Sequence, residues 1–218
     1  MQLDTVIFDM DGLLIDSEPL WNQAADEIFL RYGVKLTPQQ HASTTGMRTK
    51  EFIDWWFAQY KVPTIYAADA EAAIFESVIQ KVKTTGKPMP GLVHIINFFV
   101  SRQFKIGLAS SSPMGLIEPV IQQLGIKDYL QAVCSASDLP YGKPHPQVYL
   151  NCAEALNSSP LNCVCFEDSF NGMIAAKAAR MKCVVVPSMQ DSKLPKFNAA
   201  DLKISSLQNF NDLLMQTL

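Results

Sequence analysis

The sequence predicts an α/β fold: a doubly wound parallel sheet with an α-helical cap inserted into it. Short apolar runs rich in β-branched residues recur at TVIF (5–8), KIGLA (105–109), AVC (132–134), CVCF (163–166) and CVVV (183–186). Each is continuous rather than alternating, as strands buried on both faces must be. Helical patterns lie between the later runs, and this β-α repetition is the signature of a sheet covered on both sides. The stretch from about residue 17 to residue 85 breaks the rhythm with three helical stripes and no convincing strand.

Taken in order, the chain opens on the TVIF strand, which runs directly into Asp9 and Asp11. Trp21, Ala25, Ile28, Phe29 and Tyr32 then fall at helical spacing, closed by Gly33. Thr37, Pro38 and Gln40 predict an N-cap, an N1 proline and the N3 glutamine of a capping box. Phe52, Ile53, Trp56, Phe57 and Tyr60 form a second stripe, and Ala68, Ala72, Phe75, Ile79 and Val82 a third. These aromatic stripes are expected to be the cap's own small core. The turn-rich TTGKPMPG (84–91) reads as the return to the sheet, so residues 1–15 and 88–218 are assigned to the core and 16–87 to the cap. Helices are then expected from about Leu92, at 114–124, at 147–156 with Pro146 at its N1 position, and at 171–180. Gly125 suits the residue after a helix end.

Composition narrows the partners. The 218 residues are 48% hydrophobic and 18% charged, with a net charge of −3 and no basic run. Nucleic acid and anionic membrane are therefore not expected partners, since both need concentrated positive charge. No apolar stretch is long enough to span a bilayer, and no leader pattern stands at the N-terminus, so a cytoplasmic protein, monomeric, is expected. The five cysteines (Cys134, Cys152, Cys163, Cys165, Cys183) are odd in number and lack a CxxC. Buried small hydrophobes in a reducing compartment is the reading they favour over metal or redox chemistry.

The polar residues after the strands carry the chemistry. In an open α/β sheet, ligands gather beyond the carboxyl ends of the strands. Asp9 and Asp11 follow the first run, Ser110, Ser111 and Ser112 the second, Lys143 in YGKPHP comes after the third, and Glu167 and Asp168 follow the fourth. Two aspartates one residue apart repel and are costly to desolvate. Carboxylates from two strands can share a divalent cation, and oxygen ligands suit Mg²⁺. Lysine, hydroxyls and helix N-terminal amides would add positive potential suited to a phosphoryl group.

DMDGLLIDSEP, LASSS, YGKPHPQVY and FEDSFNG resemble the four motifs of the haloacid-dehalogenase superfamily, in their usual order over essentially the whole chain. The helical insertion resembles that superfamily's first-type cap. Within it the chain is most similar to the sugar-phosphate branch, which includes β-phosphoglucomutases and hexitol or 2-deoxyglucose-6-phosphate phosphatases. The resemblance implies a Rossmann-like core and a Mg²⁺-dependent phosphatase of small phosphorylated metabolites, with a phosphosugar mutase as the alternative. It makes Asp9 the nucleophile that forms an aspartyl phosphate, and Asp11 the acid and base. It places Mg²⁺ on the Asp9 carboxylate, the Asp11 main-chain carbonyl and Asp168, with Glu167 bound directly or through water. It assigns the phosphoryl oxygens to the Ser110 hydroxyl, the Ser111 amide and Lys143.

Each residue has a plainer reading. Asp9 and Asp11 could cap a turn, one serine of 110–112 could cap the following helix, and Glu167 and Asp168 could cap the helix near Asn171. Arg48, on the loop between cap helices, is the cap's candidate for touching substrate, with a solvated arginine as the alternative. His145, His41 and His94 are read as structural. Two departures stand out. Arg180 occupies a position where many relatives carry glycine, and Trp21 stands where the mutases carry histidine. A receiver-type phosphorylation switch uses similar groups, but its accepting aspartate follows a later strand and it lacks a cap. A binding protein descended from the same fold should have lost Asp9 or Asp11, and the dehalogenases lack an aspartate at position 11.

Overall fold

The computed structural model describes residues 3–218. Its sheet has six strands, all parallel, in the order β3-β2-β1-β4-β5-β6. They are β1 (Thr5–Phe8), β2 (Lys105–Ser110), β3 (Ala132–Ser135), β4 (Cys163–Glu167), β5 (Lys182–Val185) and β6 (Leu202–Lys203). The five predicted strands lie within a residue or so of their expected bounds. The sixth is only two residues long and has no apolar run to mark it.

Four helices follow β1 in the inserted stretch: α1 (Glu18–Phe29), α2 (Pro38–Thr44), α3 (Thr49–Tyr60) and α4 (Ala67–Thr85). α5 (Leu92–Val100), α6 (Met114–Gln123), α7 (Gln147–Ala155), α8 (Phe170–Ala178) and α9 (Asp212–Met215) follow in the core. The capping box of α2 forms as expected: Gln40 N–H donates to Thr37 Oγ1 at 3.3 Å, and Thr37 N–H donates to Gln40 Oε1 at 2.8 Å. Pro146 lies one residue outside α7 rather than inside it.

The third cap stripe differs from expectation. On α4 the buried residues are Ala70, Ile74, Val78 and Val82, while Ala68 and Ala72 face solvent. Alanine occurs on every face of this helix, so it gives periodicity little to discriminate; packing against α1 selects the face with the branched side chains. Phe75 sits at the edge of that face, edge-to-face with Trp21 at 6.0 Å.

Both sheet faces are apolar, as continuous strand runs require. On one side Phe8, Phe99, Phe166 and Phe210 cluster with centroids 4.9–5.9 Å apart. On the other, Ile7, Cys163, Cys165 and Cys183 pack with Tyr149 and Met173. All five cysteines are unpaired, and burial pushes the Cys163, Cys165 and Cys183 thiols up, which suits inert core residues. Among the described residues no helix is long and apolar enough to cross a membrane.

β1 is central, with β2 on one side and β4 on the other, so the strand order reverses at its carboxyl end. That is the crevice where ligands bind in open sheets. The chain leaves and re-enters the core side by side there: Ile15 bridges Pro88, and Asp16 N–H donates to Lys87 O at 2.9 Å.

Candidate active site

Register places the acids. Phe8 pairs with Leu108 on β2 and Phe166 on β4, so the residues that follow these three (Asp9, Ala109, Glu167) emerge together. Asp9 is buried, and Lys143 Nζ reaches it from the loop after β3 at 2.5 Å to Oδ1. The same ammonium donates to Glu167 Oε1 at 2.6 Å and to Ala109 O at 3.0 Å. Burial works against the charge of Lys143, but Asp9 and Glu167 outweigh it and hold the ammonium firmly protonated. Lys143 is thus buried and balances the charge of Asp9 and Glu167.

Asp11 lies in a different environment. Its Oδ1 accepts from Ser17 Oγ at 2.6 Å and from Trp21 Nε1 at 3.0 Å. Its Oδ2 accepts from Ser112 Oγ at 2.7 Å, with Ser110 Oγ at 3.5 Å. Two aspartates one residue apart therefore have separate partners, one on a lysine and the other on hydroxyls and an indole. Trp21, read as part of a cap stripe, lines the cavity and also reaches the core carboxylate.

Asp168 completes the acidic group. An oxygen of each of Asp9, Glu167 and Asp168 lies within 4.8 Å of the others. Burial, reinforced by its neighbours Asp9 and Glu167, pushes Asp168 well above the usual carboxylate range. Burial does the same for Asp9 despite Lys143. Three clustered carboxylates face one ammonium, a charge balance that fits a bound divalent cation. Glu167 is the least free of the three, since Lys143 and Tyr149 (2.5 Å) hold its Oε1, and Ser169 Oγ (3.2 Å) and N–H (3.4 Å) its Oε2. Gly12 permits the close approach of the turn after β1 to Asp168: its φ is +76°, and a Cβ there would collide with the Asp168 carboxylate.

A cavity opens over this group between the sheet edge and the cap. Asp9, Asp11, Asp168 and the three serines 110–112 form its floor. Trp21, Ala25, Met47, Phe52 and Ile74 supply apolar wall, while Glu18, Asn22, Thr45 and Thr49 supply polar groups. Burial, with the Asp11 carboxylate next, pushes Glu18 up to about 7. No lysine or arginine is among the lining residues.

Each of the three serines is bonded differently. Ser110 Oγ accepts from Ser112 N–H at 3.0 Å, a tight turn that leaves α6 without a serine side-chain cap. Ser111 Oγ reaches across to the cap and donates to Gly46 O at 2.9 Å. Arg48, expected to touch substrate, does not line the cavity. Its guanidinium faces main-chain carbonyls of the core loop after β3 and the carboxylate of Glu51, because packing against Gly142 turns it that way. His145 accepts from Gln147 N–H at 3.3 Å at the start of α7, and His94 lies 2.7 Å from Phe210 O; both are structural. His41, by contrast, lines the cavity with its Nε2 3.0 Å from Asp26 Oδ1. Ser112 was named with the strand-end hydroxyls, but nothing in the sequence showed that it and Ser17 would bond to Asp11 or that His41 would line the cavity.

The model of the haloacid dehalogenase-like hydrolases matches residues 3–180. The chain belongs to that family. Among its relatives, hexitol phosphatase B of Escherichia coli (strain K12) is 41% identical over 207 residues, covering 94% of this chain and 93% of that protein. The phosphorylated carbohydrates phosphatase of Thermotoga maritima is 30% identical, with 88% of this chain and 89% of that one covered. A β-phosphoglucomutase from Clostridium difficile superposes with a TM-score of 0.86 over 99% of this chain and 96% of its own, at 23% identity. That likeness shows a shared fold. The haloacid dehalogenase-like hydrolase described here thus has Asp9, Asp11, Asp168 and three serines assembled at one cavity beneath a helical cap, with Lys143 and Glu167 buried behind them.

Proposed function

We propose that this hydrolase is a phosphatase of small sugar or sugar-alcohol monophosphates, acting through an aspartyl phosphate on Asp9. The observation that carries the reading is the separation of roles between two neighbouring carboxylates. Asp9 sits on the sheet edge with its charge balanced by Lys143, while Asp11 is held by Ser17, Trp21 and Ser112 at the cavity floor. An Asp9 oxygen would attack phosphorus as the bond to the sugar oxygen breaks, and Asp11 would give its proton to the departing alkoxide. Asp11 would then take a proton from the water that attacks the acyl phosphate, which releases inorganic phosphate and restores Asp9. Lys143, the Ser110 hydroxyl and the Ser111 amide would hold phosphoryl oxygens.

The donor set suits Mg²⁺ held by Asp9, Asp168 and the Asp11 carbonyl, with Glu167 kept by its protein donors in an outer position. Bound there, the cation would offset the clustered negative charge and that developing on the phosphoryl oxygens. Residues 16–87 would act as the lid that excludes bulk water.

The substrate end of the cavity supports a neutral polyol rather than a second phosphate. Glu18, Asn22 and Thr45 can bind hydroxyls, and the absence of a lining lysine or arginine leaves a second anion unpaired. A mutase must hold a bisphosphate during turnover, so the same feature disfavours that alternative. The curated relatives named as a hexitol phosphatase and a phosphorylated carbohydrates phosphatase support the same class.

The test is phosphate release from hexose and hexitol 6-phosphates, with the Asp9→Asn variant alongside. Release by the native enzyme, none by the variant, and an unchanged circular dichroism spectrum are expected. Rapid interconversion of glucose 1- and 6-phosphates without release would overturn the assignment.

A further inference from the structure

We propose that Arg48 is a latch that couples closure of the cap to the seating of Lys143, and is not a ligand of the substrate. Arg48 precedes α3 on the cap, yet its guanidinium lies against the core. Nη1 donates to the carbonyl oxygens of Ala136 (3.3 Å), Ser137 (3.4 Å) and Leu139, and Nη2 to that of Pro140 (3.4 Å). One cation thus gathers four carbonyl oxygens of a single loop. A planar guanidinium can do this and an ammonium cannot.

Glu51, one helical turn on, closes the clasp. Its Oε1 accepts from Arg48 Nη2 at 2.5 Å and from the main-chain N–H of Gly142 at 3.2 Å. The Arg48 side chain is 11% exposed, so these bonds are largely shielded from water. Gly142 is fitted to the arginine: a Cβ there would lie 2.6 Å from Arg48 Nε and 2.7 Å from its Cγ.

The loop so held, residues 136–142, ends at Lys143, whose ammonium sits between Asp9 and Glu167. Its other end is tied to the same site, because Ala136 N–H donates to Ser110 O at 2.8 Å. Cap and core meet nearby at two more bonds, Ser111 Oγ to Gly46 O and Asn171 Nδ2 to Thr45 O, both 2.9 Å. Those two tether the cap loop to core side chains. Among the described residues the Arg48–Glu51 clasp is the cap's hold on the core loop that delivers the lysine, so opening the cap there frees that end of the loop and closing it fixes Lys143. Arg48 is a positioning residue, acting through Gly142 and Lys143.

This inference rests on Asp9 and Lys143 forming the phosphoryl site. It is tested with hydrogen exchange of residues 136–142 together with kinetics on a hexitol 6-phosphate, for the native enzyme, Arg48→Ala, Arg48→Lys, Glu51→Gln and Gly142→Ala. In Arg48→Ala, exchange of that segment should rise, and kcat should fall roughly tenfold with KM within about twofold. Arg48→Lys should not restore either. Glu51→Gln should lie between, since it keeps the acceptor for Gly142. Gly142→Ala leaves every charged group in place and the backbone outside the left-handed region, so it should reproduce the Arg48→Ala pattern even if that variant folds poorly. A raised KM with unchanged kcat and unchanged exchange would make Arg48 a substrate ligand and overturn the latch. Exchange is read without turnover, so an enzyme that survived Asp9→Asn would sink the phosphatase reading while leaving the loop measurement intact.

Discussion

The indole of Trp21 donates to Asp11 Oδ1 at 3.0 Å, so a cap helix supplies a hydrogen bond to a core carboxylate. α1 begins only a few residues after Asp11, and its first turn brings Ser17 and Trp21 onto the same oxygen. The proposed acid and base is therefore oriented in part by the domain that would cover the substrate.

Trp21→Phe keeps the ring bulk and removes the donor. A hydrogen bond to a charged group contributes about 1.5–3 kcal/mol, so kcat/KM should fall about 10- to 100-fold. A rate equal to that of the native enzyme would show that this bond has no part in turnover.

Metal removal should abolish activity, and Mg²⁺ should restore it. Asp9 and Asp168 are both pushed up by burial, and a cation between them relieves the cost of ionising both. Ca²⁺, larger and tolerant of irregular coordination, should bind without supporting turnover. Chelation followed by metal titration, read by phosphate release and by thermal melting, checks this. Undiminished turnover after exhaustive chelation would remove the metal from the mechanism.

The roles that sequence reading found and those it missed differ in kind. Asp9, Ser110, Lys143 and Asp168 each stand at the end of an apolar run or in a loop just beyond one, so strand topology alone delivers them to one edge. Ser17, Trp21 and Ser112 act through hydrogen bonds whose geometry depends on how α1 and the second strand's turn pack around Asp11. Spacing carries no trace of that. Arg48 shows the same limit: its place on the cap loop was legible, but the direction of a long flexible side chain is set by Gly142 and four carbonyls from a distant segment. The α4 stripe was misphased because alanine is compatible with either face. β6 escaped because two residues are too few for a period.

Arg180 offers a stability test far from the site. Its φ is +65°, in the left-handed region, where a side chain costs roughly 1–2 kcal/mol. Arg180→Gly removes that cost but adds chain entropy to the unfolded state, about 0.5–1 kcal/mol. The net should be a gain of about 0.5–1 kcal/mol, seen as a higher urea midpoint with activity unchanged. A lower midpoint would mean that contacts of the arginine side chain outweigh its backbone strain.

Glu18 makes a prediction about pH with a definite sign. Burial and the neighbouring Asp11 raise it from 4.5 to about 7 in the folded chain. The folded state then holds a proton that the unfolded chain has already released between these two values. Stability must fall as pH rises through that window, because the unfolded state binds fewer protons. Glu18→Gln mimics the protonated form and removes this dependence. In chelator, where no cation offsets the charge, the variant should match the native enzyme near about pH 4.5 and exceed it by about 1–2 kcal/mol near about pH 8, the partial exposure of Glu18 reducing the full effect of about 1.4 kcal/mol per unit. Urea titrations at the two pH values measure it. Equal differences at both would show that the Glu18 carboxyl ionises in the cavity without cost, and that the polar end of the site is wetter than its lining implies.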